Sequence, residues 1–151
     1  MKKWLGKLHK FLQLRDDDRR LLLHSLILMS AIRLGLWLTS FRTLVQILSK
    51  ISKPAKTPIE SAYHPDQYSI DQIVWAIEMS SQYMPGGVKC LARALTMQVL
   101  MRKWGYVPVL HIGVASDGDN TLEAHAWIEH EGNIAIGELP DLGRYICLLS
   151  L

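Results

Sequence analysis

Apolar residues dominate the chain between Arg19 and Ile51, where the pattern of hydrophobic and polar positions predicts one or two helices. The segment LLLHSLILMSAIRLGLWLTSF is apolar on nearly all sides, which is typical of a helix buried in protein or lipid. Arg33 interrupts it, so it lacks the ~18 uninterrupted apolar residues of a membrane-spanning helix. A second stripe follows at helical spacing and predicts an amphipathic helix: Phe41, Leu44, Val45, Leu48 and Ile51. These helices either cover the rest of the protein or dock a partner.

The pattern then divides the chain into three parts. Residues 53–68 contain three prolines and no periodic spacing, which predicts a connector. Ser69 and Gln72 form a capping box ahead of an apolar helical stripe that reaches about Met79. We therefore expect an N-terminal helical arm over residues 1–52 and a core over residues 69–151, together in one compact domain.

A further helical pattern begins at Cys90, directly after a Pro-Gly-Gly turn, and ends at Gly105. A helix start presents unpaired backbone N–H groups and the positive end of the helix dipole, so a thiol there ionises more easily. This is the position of a nucleophilic cysteine, although a single cysteine in a helix is commonly a small buried hydrophobe. Arg93, one turn on, is expected either to hold a thiolate or substrate carboxyl or to form a structural salt bridge.

Beyond Gly105 the spacing alternates, and VPVLHIGVA, LEAHAWIEH and NIAIGE read as three strands. We expect an antiparallel meander with the cysteine helix packed on it, an α+β fold. Along the second strand His125 and Trp127 share a face. Trp127 is expected to pack beside His125 and shield its hydrogen bond to an acid.

Cys90, His125 and Glu138 follow one another in the order that builds a triad of thiolate, base and orienting acid. Asp141 is the reserve candidate for the acid. Cys147 lies in the apolar tail YICLLSL without a base nearby in the sequence, so we expect it to be dispensable.

A metal site is the competing use of these side chains, with Cys90, His111, His125 and His130 as candidate ligands. The spacing argues against it, because the strand positions of the histidines differ and no H-x-E, C-x-x-C or H-E-x-x-H pattern is present.

The region around residues 84–145 resembles the stand-alone leader peptidases of lasso-peptide biosynthesis, the transglutaminase-like B proteins. The matching pattern is P-G-x-x-x-C-L-x-R-A-L, a strand ending I-G-V, then A-H-A-W-[VI]-E, and finally G-x-x-x-x-G with an acid after it. The resemblance implies a transglutaminase-like, papain-like cysteine-protease core, and a triad of Cys90, His125 and Glu138 without metal or organic cofactor. The family usually has Asp where this chain has Glu138.

The resemblance also implies the substrate. It would be the leader region of a ribosomally synthesised lasso precursor peptide, cut from the core before a cyclase closes the ring. In that family the stand-alone peptidase works with a separate leader-binding protein, the recognition element. We expect the helical arm to dock that partner, with a membrane surface and the lasso cyclase as additional candidates.

The charge distribution gives a reason to consider such a docking surface. Residues 1–59 hold 12 Lys or Arg against 3 Asp, whereas residues 60–151 hold 5 basic against 11 acidic side chains. The basic segment indicates either an anionic partner surface or an arm that complements its own acidic domain. We expect no nucleic acid as partner.

Cysteine content and the first residues bear on the compartment. The two cysteines lack the paired spacing of a disulfide framework, and the beginning of the chain makes a poor signal peptide, so we expect a cytoplasmic protein, with membrane association left open. Two other functions stay open: a different transglutaminase-like hydrolase or acyl transferase, and a non-catalytic membrane-surface or adaptor module.

Overall fold

A computed structural model of the chain describes residues 14–52, 68–87, 89–116, 118 and 121–151. Most of the connector predicted over residues 53–68 and the first 13 residues of the arm lie outside the described residues. Within them, helices precede a single antiparallel sheet. The helices are α1 (Asp16–Leu38), α2 (Phe41–Ile51), α3 (Ile70–Tyr83) and α4 (Cys90–Lys103). The strands are β1 (Val109–Ser116), β2 (Leu122–His130), β3 (Asn133–Ile136) and β4 (Ile146–Ser150), with a short 3-10 helix, Leu142–Arg144, before the last.

Local sequence signals account for the helix starts. Three aspartates open α1, where negative charge suits the positive end of the dipole. Ser40 caps α2 by accepting a hydrogen bond from the backbone of Thr43. The capping box predicted ahead of α3 is confirmed, because Ser69 and Gln72 exchange both of its hydrogen bonds.

The arm shares the core with the rest of the protein. Met29 and Ile32 of α1 and Leu44 and Leu48 of α2 are buried in one cluster with the interior of α3 and α4. At Gly35 an added Cβ would lie 2.7 Å from Leu44 Cδ1, so glycine permits the close approach of α1 and α2. The leucines of α2 therefore serve packing.

The outer side of α1 is apolar and exposed. The exposed set on this helix is Leu23, Ile27, Leu34, Trp37 and Leu38, with Trp37 81% exposed. By length and composition alone α1 could cross a membrane, although buried helices of soluble proteins pass the same test. We call these five side chains the α1 apolar surface.

The sheet has the strand order β3-β2-β1-β4, with every pair antiparallel. The three predicted strands are confirmed, and β4 is an addition that comes from the apolar tail. One face of the sheet packs against the helices. Its core side chains are Leu110, Ala126, Ile128 and Ile136. Because side chains alternate along a strand, His125 and Trp127 lie on the other face.

Candidate active site

Cys90 is the first residue of α4 and its side chain is half-buried. Its backbone N–H is one of the helix-start donors without a partner inside the helix. The turn ahead of it needs glycine, because Gly86 and Gly87 have φ of 77° and 72°. Arg33 of α1 donates a hydrogen bond of 2.7 Å to the Pro85 carbonyl and so holds this turn against the helices. The sequence thus folds locally to place a thiol at a helix start.

Arg93 is committed to a structural contact. Its guanidinium forms an ion pair with Glu78 of α3, which ties α4 to the neighbouring helix. Of the two roles expected for Arg93, the geometry matches the salt bridge.

His125 is held by a backbone carbonyl. Its Nε2 lies 2.7 Å from the carbonyl oxygen of Gly137, just after β3. A carbonyl only accepts hydrogen bonds, so Nε2 donates its hydrogen to Gly137, and in the neutral imidazole Nδ1 is the nitrogen with the lone pair. This contact leaves Nδ1 as the ring nitrogen that is not engaged by the Gly137 carbonyl.

Only glycine lets this carbonyl approach. Gly137 has φ of 90°, and an added Cβ would lie 2.8 Å from the Ala126 carbonyl oxygen and 2.9 Å from Trp127 Cα. A side chain there would push the backbone of residue 137 away from β2. The hydrogen bond to His125 depends on that close packing.

Two aromatic rings flank the imidazole. Trp127 stacks with His125 at 6.2 Å between ring centroids, as expected from the strand pattern, and Tyr145 lies 5.6 Å away. The Tyr145 hydroxyl donates to Glu123 at 3.2 Å. Desolvation raises the pKa of Tyr145, which keeps the phenol protonated for that bond. The rings restrict the orientation of the imidazole.

The two candidate acids occupy other surroundings. Glu138 directly follows Gly137 and is exposed, while Asp141 accepts a hydrogen bond of 2.6 Å from Arg144 Nε. Among the described residues, neither carboxylate hydrogen-bonds to His125, whose orienting contact is the Gly137 carbonyl. The role of Glu138 therefore stays a prediction.

Cys90 and His125 belong to two elements that pack against each other, α4 and β2. Tyr106, just beyond α4, packs edge-on against His130 at the end of β2, so the helix and the strand end together. Within the described part of the chain no hydrogen bond joins the thiol to the ring, which belongs to the opposite sheet face.

Cys147 does have a base nearby, contrary to the expectation from its apolar tail. Its Sγ lies 3.6 Å from His111 Nδ1. This contact could not be predicted from the sequence, because the contact depends on the pairing of β4 with β1. That pairing brings together two residues that are 36 positions apart in the chain.

No group of three or more His, Cys, Asp or Glu side chains that could hold a metal is found in the described ranges. Two of the four candidate ligands hydrogen-bond to different backbone carbonyls. His130 lies 3.0 Å from the Val107 carbonyl oxygen, and His125 bonds to the Gly137 carbonyl.

A cavity of about 460 Å³ opens beside the turn that leads to Cys90. It is lined by Ser30, Arg33, Leu34, Trp37, Met84 and Pro85. Its wall is mainly apolar and combines Leu34 and Trp37 of the α1 apolar surface with Met84 and Pro85 ahead of Cys90.

The fold and the site define a class, an α+β protein with a cysteine at the start of a helix packed on an antiparallel sheet that carries a histidine. A sequence model of the transglutaminase-like superfamily matches residues 35–150. The chain therefore belongs to the transglutaminase-like superfamily, and the expected fold class is confirmed. No curated protein and no solved structure matches the chain significantly.

Proposed function

We propose that this protein is a cysteine peptidase that removes the leader from a ribosomally synthesised lasso precursor peptide. The observation that carries the proposal is the placement of Cys90 at the first residue of α4 in a transglutaminase-like chain. The superfamily includes cysteine peptidases and acyltransferases, so membership supports thiol chemistry at this position. The resemblance of residues 84–145 to lasso leader peptidases supplies the substrate.

In the proposed reaction the Cys90 thiolate attacks the carbonyl at the junction of leader and core. His125 accepts the thiol proton at Nδ1 and returns it to the leaving amine, so the core departs with a free N-terminus. The leader stays on Cys90 as a thioester until water releases it. The Cys90 N–H at the helix start is the first candidate donor to the oxyanion.

Proton transfer requires Cys90 Sγ and His125 Nδ1 to come within hydrogen-bond reach. Catalytic contacts of this kind are commonly long or misaligned without substrate and tighten in the complex. Because α4 packs on one face of the sheet and the His125 ring lies on the other, the proposed reaction requires the substrate complex to bring Cys90 Sγ and His125 Nδ1 within that reach.

The orienting role is assigned jointly to the Gly137 carbonyl and Glu138. The carbonyl contact fixes the tautomer of His125. Glu138, the residue after Gly137, is proposed to supply negative charge that stabilises the imidazolium when it forms. Losing the carboxylate should then cost less activity than losing the histidine. Glu138→Gln is expected to retain part of the activity and Asp141→Asn more, and the reverse order would assign the acid to Asp141.

The substrate is proposed to arrive on a leader-binding partner that docks on the α1 apolar surface. That surface is continuous with the cavity lined by Met84 and Pro85 of the turn before Cys90, and this continuity supports the proposal that a bound leader passes along it. Contiguous exposed apolar side chains commonly mark interaction sites. The proposal locates the protein in the cytoplasm, and membrane contact through α1 is the competing use of the same surface.

The test is cleavage of the precursor by the purified chain with its leader-binding partner, followed by mass spectrometry. Cys90→Ala should abolish cleavage, whereas Cys147→Ala, the matched control at the other cysteine, should leave it largely intact. Both variants should keep the melting temperature of the parent within a few degrees. Cleavage by Cys90→Ala at the parent rate would refute the assignment of the nucleophile.

An adaptor function without catalysis is separated by the same experiment. If Cys90→Ala and the parent both bind the partner and neither cuts any precursor, the chain serves as a binding module.

A further inference from the structure

A thiol, an imidazole and a carboxylate lie close together on the open face of the sheet, apart from Cys90. Cys147 Sγ is 3.6 Å from His111 Nδ1, and His111 Nε2 is 3.4 Å from Glu129 Oε2. The three residues sit on β4, β1 and β2, so the register of the sheet builds the group. We propose that Cys147, His111 and Glu129 form a second thiol site at which Cys147 exchanges with disulfides.

The environment of His111 fixes the direction of proton transfer. Its Nε2 is fully buried, and the Glu129 carboxylate stands at ion-pair distance rather than in an aligned hydrogen bond. A carboxylate favours a proton on the nitrogen that faces it, so Nδ1 keeps the lone pair that receives the thiol proton. Trp127 stacks on the His111 ring at 5.4 Å between centroids and holds it in this orientation.

The surroundings of Cys147 favour attack on sulfur over attack on a carbonyl. Cys147 is exposed and lies inside a strand paired with β1, where backbone N–H groups serve the ladder, in contrast to the helix start at Cys90. Acyl chemistry depends strongly on donors aimed at an oxyanion. Thiol–disulfide exchange develops no oxyanion and depends on access and on the nucleophile.

The exchange balances without any other reactant. Cys147 passes its proton to His111 Nδ1, and Sγ attacks one sulfur of the incoming disulfide. The new S–S bond forms as the old one breaks, and the departing thiolate takes the proton from His111. The products are a mixed disulfide on Cys147 and one free thiol.

Ser150 competes for the same nitrogen. Its Oγ lies 2.9 Å from His111 Nδ1 and 3.4 Å from Cys147 Sγ. While the hydroxyl is bonded to Nδ1, the thiol instead donates to the Leu149 carbonyl oxygen, which lies 3.4 Å from Sγ. Removing the hydroxyl should free the nitrogen for Cys147 and raise the exchange rate.

The experiment uses the full chain with Cys90→Ala, which leaves Cys147 as the single thiol. Its reaction with 5,5′-dithiobis(2-nitrobenzoate) at pH 7 is followed by release of the coloured thiolate. An ordinary thiol is only about 3% ionised at this pH, so base assistance allows roughly tenfold faster reaction than in the denatured chain. His111→Gln should remove most of that gain and Glu129→Gln part of it, while Ser150→Ala should increase the rate.

His130→Gln is the matched control, because this β2 histidine bonds to the Val107 carbonyl instead. It should leave the rate unchanged. The proposal is overturned if Cys147 reacts no faster in the folded chain than in the denatured one. An unchanged rate in Glu129→Gln, which alters a half-buried side chain and tests the site even if His111→Gln fails to fold, would overturn it as well.

Discussion

Replacing Gly137 by alanine should lower the stability of the fold and weaken the hydrogen bond between His125 Nε2 and the carbonyl of residue 137. The residue has φ of 90°, and the new Cβ would meet the Ala126 carbonyl oxygen at 2.8 Å and the backbone of Trp127 at 2.9 Å. These neighbours are backbone atoms of β2, which cannot turn aside as a flexible side chain could. The chain at residue 137 must move outwards, and the carbonyl that bonds His125 moves with it.

A matched glycine separates the two contributions. Gly132 also has positive φ, 78°, but an added Cβ there meets nothing within 4 Å. Gly132→Ala should therefore cost only the backbone strain, about 1 kcal/mol. Gly137→Ala adds a steric clash of the overpacking kind, about 2 kcal/mol, for a total of about 3 kcal/mol.

Thermal unfolding measures the difference. For a chain of this size each kcal/mol lowers the melting temperature by about 2–4 °C, so Gly132→Ala should lose about 3 °C and Gly137→Ala about 9 °C. Precursor cleavage should fall in Gly137→Ala and stay near the parent value in Gly132→Ala. Equal melting temperatures and equal activities for the two variants would refute the packing argument and the role given to the carbonyl.

Three other predictions follow from burial and contacts. Leu48→Ala removes a buried side chain and should cost about 2–5 kcal/mol, whereas Ile51→Ala on the exposed side of α2 should stay within about 0.5 kcal/mol, as measured by denaturant unfolding. Trp37→Ser should weaken capture of the leader-binding partner at an unchanged melting temperature, and loss of both would assign the tryptophan to the fold instead. His125→Ala should reduce cleavage about as much as Cys90→Ala does, and a small effect on the cleavage rate would remove the histidine from the mechanism.

Local sequence signals predicted much of the fold because their physics is local. The Pro-Gly-Gly turn, the capping box at Ser69 and the alternation after Gly105 each act within a few residues, and the structure contains the elements that they indicate. The position of Cys90 at a helix start was predictable for the same reason.

The features that sequence reasoning missed depend on long-range pairing or on the backbone. The tail that forms β4 is a continuous apolar run without alternation, so it gave no strand signal, and the contact of Cys147 with His111 was hidden with it. The group that orients His125 is a carbonyl, which no side-chain pattern reveals. The sequence feature that accompanies this carbonyl is Gly137 itself, because the close approach to β2 requires a glycine at that position.

Cys90 is proposed to carry the leader as a thioester during cleavage. The most direct test of this proposal is rapid acid quenching of the protein with its partner and precursor, followed by intact-mass and peptide mass spectrometry. We expect an adduct equal to the mass of the leader less one water, located on the peptide that contains Cys90 and absent from Cys90→Ala. Leader release with the adduct on Cys147, or with an undiminished rate in Cys90→Ala, would contradict it.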